Sequence, residues 1–226
     1  MSARDDLVLL DLDGTLTDSA PGILASVRHA YGALRLPVPA DPVLRGFVGP
    51  PLAESFAAHG VPVDRVADAV VAYRDVYTAG NLLDNAVYPG IPECLTALRE
   101  AGLRLAVATS KPEPMARRIV AHFGLDAHLD RGLDDVFGAT LDGSRSTKAD
   151  VVAHALASLG AARRVVMVGD REHDVLGAAA HGVPCVGVAW DRRELGGRPD
   201  DRRRARRGQL ARAHVAPVLH RAQPEG

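Results

Sequence analysis

Lysine is nearly missing from this chain of 226 residues. Of its 27 basic side chains only Lys111 and Lys148 are lysine, and the rest are arginine. Where arginine otherwise supplies the positive charge, a compact ammonium in a phosphate site is one reason to keep a lysine. Cysteine is equally scarce. Cys94 and Cys185 are far apart and match no metal or redox spacing. That excludes a disulfide framework and points to reduced core thiols in a cytoplasmic protein. Long apolar runs are lacking too. Leu7–Leu10 is cut off by Asp11, so neither a signal peptide nor a membrane span is expected. With 47% apolar and 24% charged residues, a wholly disordered chain, a collagen and a coiled coil are all excluded. A chain of this length buries roughly 70% of its unfolded surface and needs no covalent or metal staple. One domain, or one domain with a smaller insertion, is the expectation.

The formal charge of −1 hides an asymmetry. Residues 191–226 carry ten arginines against five acidic side chains, so residues 1–190 are net acidic. The Arg-rich segment has too few bulky apolar residues to build further core, and the expectation is a poorly ordered tail. A contact with nucleic acid or an acidic surface, and an altered reading frame, are the other readings of it.

Along the chain, Leu7–Leu10 reads as a strand buried on both faces. Residues 17–85 then show helical spacing with no strand pattern, with helices at 20–36, 52–59 and 63–83. From residue 86 helices and strands alternate. Helices are expected at 92–101, 112–123, 147–159 and 175–181, and strands at 103–108, 165–168 and 184–188. The fold class is α/β. The core is a Rossmann-like parallel sheet with helices on both faces, formed by residues 1–16 and 86–190, with an inserted all-helical cap at residues 17–85.

Ligands bind such sheets beyond the carboxyl ends of the strands. There the sequence delivers Asp11 and Asp13, then Thr109, Ser110 and Lys111, then Asp170 with Asp174 one turn on. Lys148 sits at the start of a helix. Four converging carboxylates raise one another's pKa unless a cation joins them, and Mg²⁺ suits an all-oxygen shell. Asp11 is then a candidate nucleophile and Asp13 a candidate acid and base. Thr109, Ser110, Lys148 and the Gly14–Thr15 loop are candidates for holding phosphoryl oxygens. Arg45, ahead of Gly49-Pro50-Pro51, is the candidate cap residue for reading substrate, against the plainer reading of a surface arginine. Lys111 reads equally as a phosphate contact or a solvated side chain. His173 and Glu172 read as solvent-facing, because Mg²⁺ favours oxygen.

The string Asp11-Leu12-Asp13-Gly14-Thr15-Leu16 resembles the first motif of the haloacid-dehalogenase-like (HAD) phosphohydrolase superfamily. Val107 to Pro112 resembles the second, Lys148 the third, and Gly169-Asp170-Arg171-Glu172-His173-Asp174 the fourth. The finer pattern is similar to the branch of phosphoglycolate phosphatases and 5′-nucleotidase-like proteins. The resemblance implies Asp11 as nucleophile and Mg²⁺ ligand, and Asp13 as acid/base that also binds Mg²⁺ through its carbonyl. It further implies Asp170 as a direct ligand, with Asp174 acting through a metal-bound water or Lys148. Thr109 and Lys148 would hold the phosphoryl group. The implied activity is Mg²⁺-dependent hydrolysis of a small phosphorylated metabolite, a nucleoside 5′-monophosphate or phosphoglycolate, through an aspartyl-phosphate. A phosphomutase, or an idle module binding through its basic tail, is the alternative. A dehalogenase is disfavoured because halide departure needs no proton from Asp13. No membrane partner is expected, and nucleic acid is a weak candidate.

Overall fold

The computed structural model describes residues 5–190. The Arg-rich segment 191–226 lies outside the described residues. Strand β1 (Asp6–Leu10) is buried at all five positions, which explains why its sequence is continuously apolar after Asp6. It pairs in parallel with β4 (Arg104–Pro112) on one side and β6 (Arg164–Gly169) on the other. β5 (Val136–Ala139) and β7 (Cys185–Gly187) complete a five-stranded parallel sheet in the order β5-β4-β1-β6-β7. The chain leaves β1 toward both edges, so the strand order reverses there and opens a crevice at the carboxyl ends.

Alternate residues of β1 serve two cores. Val8 and Leu10 pack with Leu95 of α5 (Ile91–Glu100) and Ile119 of α6 (Glu113–His122). Leu7 and Leu9 pack with Val151 and Val152 of α7 (Lys148–Leu159) and Ala178 of α8 (Glu172–Ala179). The period of two in the strand thus puts a helical layer on each face. Leu9 is fully buried, so Leu9→Ala would cost about 2–5 kcal/mol. Cys94 and Cys185 are not joined in a disulfide, and both are half-buried.

Between β1 and α5 lie α1 (Ala20–Ala33), α2 (Asp41–Leu44), α3 (Leu52–Ala58) and α4 (Val66–Ala79). α1 packs along α4, and α3 also packs on α4. This region holds most of the chain's few aromatics. Tyr31, Phe47 and Phe56 form one buried cluster, with the Phe47–Phe56 centroids 5.1 Å apart. Tyr73 stacks on Tyr77 at 5.1 Å. Large rings let a short helical segment bury enough area to hold together.

Several expectations need correction. Residues 17–85 are not purely helical. Thr17–Asp18 (β2) pairs antiparallel with Ala86–Val87 (β3) where the chain leaves and rejoins the sheet. The expected helix at 63–83 is broken. Short 3₁₀ turns at Val63–Arg65 and Asn81–Leu83 flank α4, and Gly80 ends it. β4 runs on through Pro112 instead of stopping at residue 108, with an irregular register between Ala108 and Pro112. α8 begins at Glu172, three residues earlier than expected, because the Asp174 carboxylate accepts the Arg171 N–H at 3.1 Å and caps the turn.

Trp190 closes the described chain. Its indole stacks on Tyr88 at 4.6 Å and donates Nε1–H to the Thr15 carbonyl at 3.0 Å. Among the described residues, no helix is long and apolar enough to cross a membrane.

Candidate active site

The pairing of β1 with β6 continues one step past β1, as Asp11 donates its N–H to the Val168 carbonyl at 2.9 Å. This holds Asp11 at the carboxyl edge of the central strand. The Leu12 carbonyl then accepts from the N–H groups of Thr15, Leu16 and Thr17, which curls the loop tightly. Gly14 has φ +84°, and a Cβ there would sit 2.5 Å from Oδ2 of Asp170. Only glycine allows this loop to lie against that carboxylate.

Lys148 enters from the other face of the sheet. Thr147 caps α7, accepting the Asp150 N–H at 3.1 Å while Asp150 accepts the Thr147 N–H at 3.0 Å. The reciprocal cap fixes the first turn, and Lys148 is its first residue. The Lys148 side chain is buried. Its Nζ reaches Asp11 Oδ1 at 2.7 Å, Asp174 Oδ1 at 2.7 Å and the Ala108 carbonyl at 2.9 Å. The ammonium donates to Asp11 and to the Ala108 carbonyl and forms an ion pair with Asp174. Burial alone would lower its pKa, but Asp11 and Asp174 more than reverse that and hold it above the usual lysine range.

The acidic side is under strain of like charge. Burial, then Asp11, pushes Asp170 up to about 6 against the opposing Arg171. Burial and Asp11 also raise Asp174, despite its bond to Lys148. Asp11, Asp170 and Asp174 offer carboxylate oxygens within 4.8 Å of one another. Oδ1 of Asp170 is buried with no hydrogen-bond partner. Three clustered carboxylates, of which two share the Lys148 ammonium and the third keeps an orphaned oxygen, fit a hard divalent cation such as Mg²⁺. Asp13 stands apart from this cluster. Its Oδ2 lies 2.8 Å from Lys111 Nζ, and its Oδ1 is buried without a partner.

Lys111 resolves in favour of the site. It is buried, and its Nζ donates to the Tyr77 hydroxyl at 2.6 Å as well as bonding Asp13. Burial alone would lower its pKa, but Asp13 and then Tyr77 outweigh that and raise it. Its backbone N–H donates to Oγ1 of Thr109 at 3.3 Å.

Asp11, Asp13, Thr109, Ser110, Lys111 and Lys148 line one cleft, completed by Asp174, Gly49, Arg171 and His173. The space is about 330 Å³, its open mouth included. Four residues expected at the site, Gly14, Thr15, Arg45 and Asp170, are not among its lining. Gly14 packs against Asp170 instead. Thr15 is buried, with its hydroxyl unpartnered and its carbonyl taken by Trp190. Arg45 is half-buried in the turn Arg45–Phe47. Tyr77, Gly49 and Arg171 were not singled out by sequence. Tyr77 falls on the apolar stripe of a helix and reads as core, while nothing local marks Gly49 or Arg171. His173 borders the cleft although it is exposed, as expected of it.

A family model described as haloacid dehalogenase-like hydrolase matches residues 8–188. The chain is 51% identical over 185 residues to the tyrosine-protein kinase PtkA of Mycobacterium tuberculosis, covering 81% of this chain and 62% of PtkA. It therefore spans less than two thirds of that relative. It is 43% identical over 185 residues to a 5′-nucleotidase of Pseudomonas aeruginosa, covering 81% and 82% of the two chains. The crystal structure of a predicted phosphatase from Clostridium acetobutylicum superposes with a TM-score of 0.74 at 40% identity, over 81% of this chain and 84% of that one. The sheet order, the carboxylates at its carboxyl edge and the match across residues 8–188 agree, and the chain belongs to the haloacid dehalogenase-like hydrolase family.

Proposed function

We propose that the protein is a Mg²⁺-dependent phosphatase that hydrolyses a small phosphate monoester, a nucleoside 5′-monophosphate or phosphoglycolate, through an aspartyl-phosphate. The observation that carries this reading is the Lys148 ammonium shared by Asp11 and Asp174 in the cleft that Asp13 also lines. It orients Asp11 in the cleft that holds Asp13. Asp11 attacks phosphorus, the bond to the ester oxygen breaks, and Asp13 gives that oxygen its proton. Asp13 then takes a proton from the water that attacks the phospho-aspartate, releasing phosphate and restoring Asp11. Lys148 and the Thr109 hydroxyl hold the phosphoryl oxygens. Mg²⁺ held by Asp11, Asp170 and the Asp13 carbonyl supplies charge neutralisation for the incoming phosphate.

The test is phosphate release from a panel of monoesters, with Mg²⁺ or with EDTA, for the wild type and Asp11→Asn. Metal-dependent release that the substitution abolishes supports the reading and ranks the substrates. Release that survives Asp11→Asn sinks the nucleophile assignment.

The 51% identity to PtkA favours one second reading, transfer of phosphate from ATP to a protein tyrosine. Labelled ATP offered with a tyrosine-containing peptide tests it in the same assay. Label in the peptide supports transfer, and label in free phosphate alone supports hydrolysis.

A further inference from the structure

Neither Lys111 nor Tyr77 is required by the two steps just described, yet Lys111 lines the cleft and Tyr77 is buried against it. Tyr77 belongs to α4 of the inserted helices and is 2% exposed. Its hydroxyl accepts from Lys111 Nζ at 2.6 Å, and the same ammonium bonds Asp13 Oδ2 at 2.8 Å. A buried ammonium with two of its three donors fixed has little freedom to swing. Asp13, for its part, has one oxygen on Lys111 and one with no partner. Lys111 is therefore the group that sets the rotation of the Asp13 carboxyl, and Tyr77 is the group that sets Lys111.

Resting on the hydrolytic reading of the site, we infer that Tyr77 is a positioning residue for the leaving-group proton: it locks Lys111 against Asp13 and so fixes the rotation of the carboxyl that gives the ester oxygen its proton. The inserted helices thereby contribute an atom to the catalytic arrangement of the sheet. The third N–H of Lys111, which also lines the cleft, remains for a substrate oxygen. A prealigned acid needs no reorganisation at the moment of bond breaking.

The leaving group makes the inference testable. A p-nitrophenolate departs without a proton, whereas an alkoxide does not. Tyr77→Phe removes one hydroxyl and keeps the ring, so the stacking on Tyr73 is preserved. In Mg²⁺ buffer, kcat/KM is measured for p-nitrophenyl phosphate and for an alkyl ester such as a nucleoside 5′-monophosphate. The expected result is a loss about tenfold greater on the alkyl ester, a fraction of what a full general acid supplies. Lys111→Met should show the same selective loss, and Tyr77→Phe added to it should cost nothing further, as residues acting in series are not additive. Equal losses on both esters, or an undiminished effect of Tyr77→Phe in the Lys111→Met background, would overturn the positioning role and leave hydrolysis standing. A wild type that hydrolyses neither ester overturns both. The two lysines allow a readout without turnover. In ¹⁵N-lysine-labelled protein, Tyr77→Phe should move the Lys111 ammonium signal and leave that of Lys148 in place, and an unmoved Lys111 signal contradicts the lock.

Discussion

Replacing Lys148 by methionine isolates the electrostatic centre of the site, because the side-chain length is nearly kept and only the charge and its donors are lost. The ammonium bonds two buried carboxylates at 2.7 Å each and one carbonyl at 2.9 Å. Removing one partner of a buried ion pair costs about 3–5 kcal/mol, since the remaining charges are left uncompensated. The cluster has one route of relief, which is to take up a proton. Asp170 already titrates near 6. Protonating such a group costs about 2 kcal/mol at pH 7.5 and almost nothing at pH 5.5. The expected destabilisation is therefore about 3 kcal/mol at pH 7.5, shrinking by roughly 2 kcal/mol at pH 5.5. The sign follows from proton counting. The folded variant holds carboxyl pKa values above the unfolded ones, so it binds more protons and gains stability as pH falls. Urea unfolding of both proteins in EDTA at the two pH values measures it. Added Mg²⁺ should close much of the gap at pH 7.5, because a divalent cation replaces the missing charge. A loss under about 1 kcal/mol at pH 7.5, or a gap that ignores pH, would refute the claim that Lys148 neutralises this cluster.

Gly14→Ala places a Cβ 2.5 Å from Asp170 Oδ2 at φ +84°, so the carboxylate must shift. The Mg²⁺ concentration needed for half-maximal phosphate release should rise about tenfold, and an unchanged requirement would argue against Asp170 as a ligand. Asp6 is held below the ordinary carboxylate range by its hydrogen bonds to Arg164, and also to Arg163, against the opposing effect of burial. Its contribution is present above the unfolded pKa and lost as pH falls through the lower folded one, so Asp6→Asn should lower the melting temperature at pH 7, and the deficit should shrink as pH falls below the ordinary carboxylate range. Trp190→Ala removes the stack on Tyr88 and the bond to the Thr15 carbonyl. It should cost about 2 kcal/mol in urea unfolding followed by circular dichroism, and a loss within error would mean the indole merely lies on the surface.

The candidate site residues are the most legible part of the sequence. Asp11, Asp13, Thr109, Lys148, Asp170 and Asp174 sit beside buried strands or capped helices, whose patterns are local and strong. What escaped depends on partners distant along the chain. β2 and β3 are two residues each and pair across the whole insertion, so no period exists to detect. α8 starts early because Asp174 caps it from within, a role invisible while that residue is counted only as an acid. Tyr77 has the spacing of a core residue, and it is one. Only folding brings its hydroxyl to Lys111, 34 positions later. At Gly14 the sequence suggests backbone contact with phosphate, and the structure adds a second demand, since glycine there makes room for the Asp170 carboxylate.

Trp190 grips both crossings between sheet and insertion. Thr15 lies just before β2, and Tyr88 just after β3. The chain's single tryptophan is thus a rivet through the two strands on which the inserted helices hang. A shortened protein ending at residue 190 keeps that rivet, while one ending at 188 loses it, though the two differ by two residues out of nearly two hundred. The same indole is a built-in optical probe. A change in its emission when ligand binds would register movement at the crossings without any label.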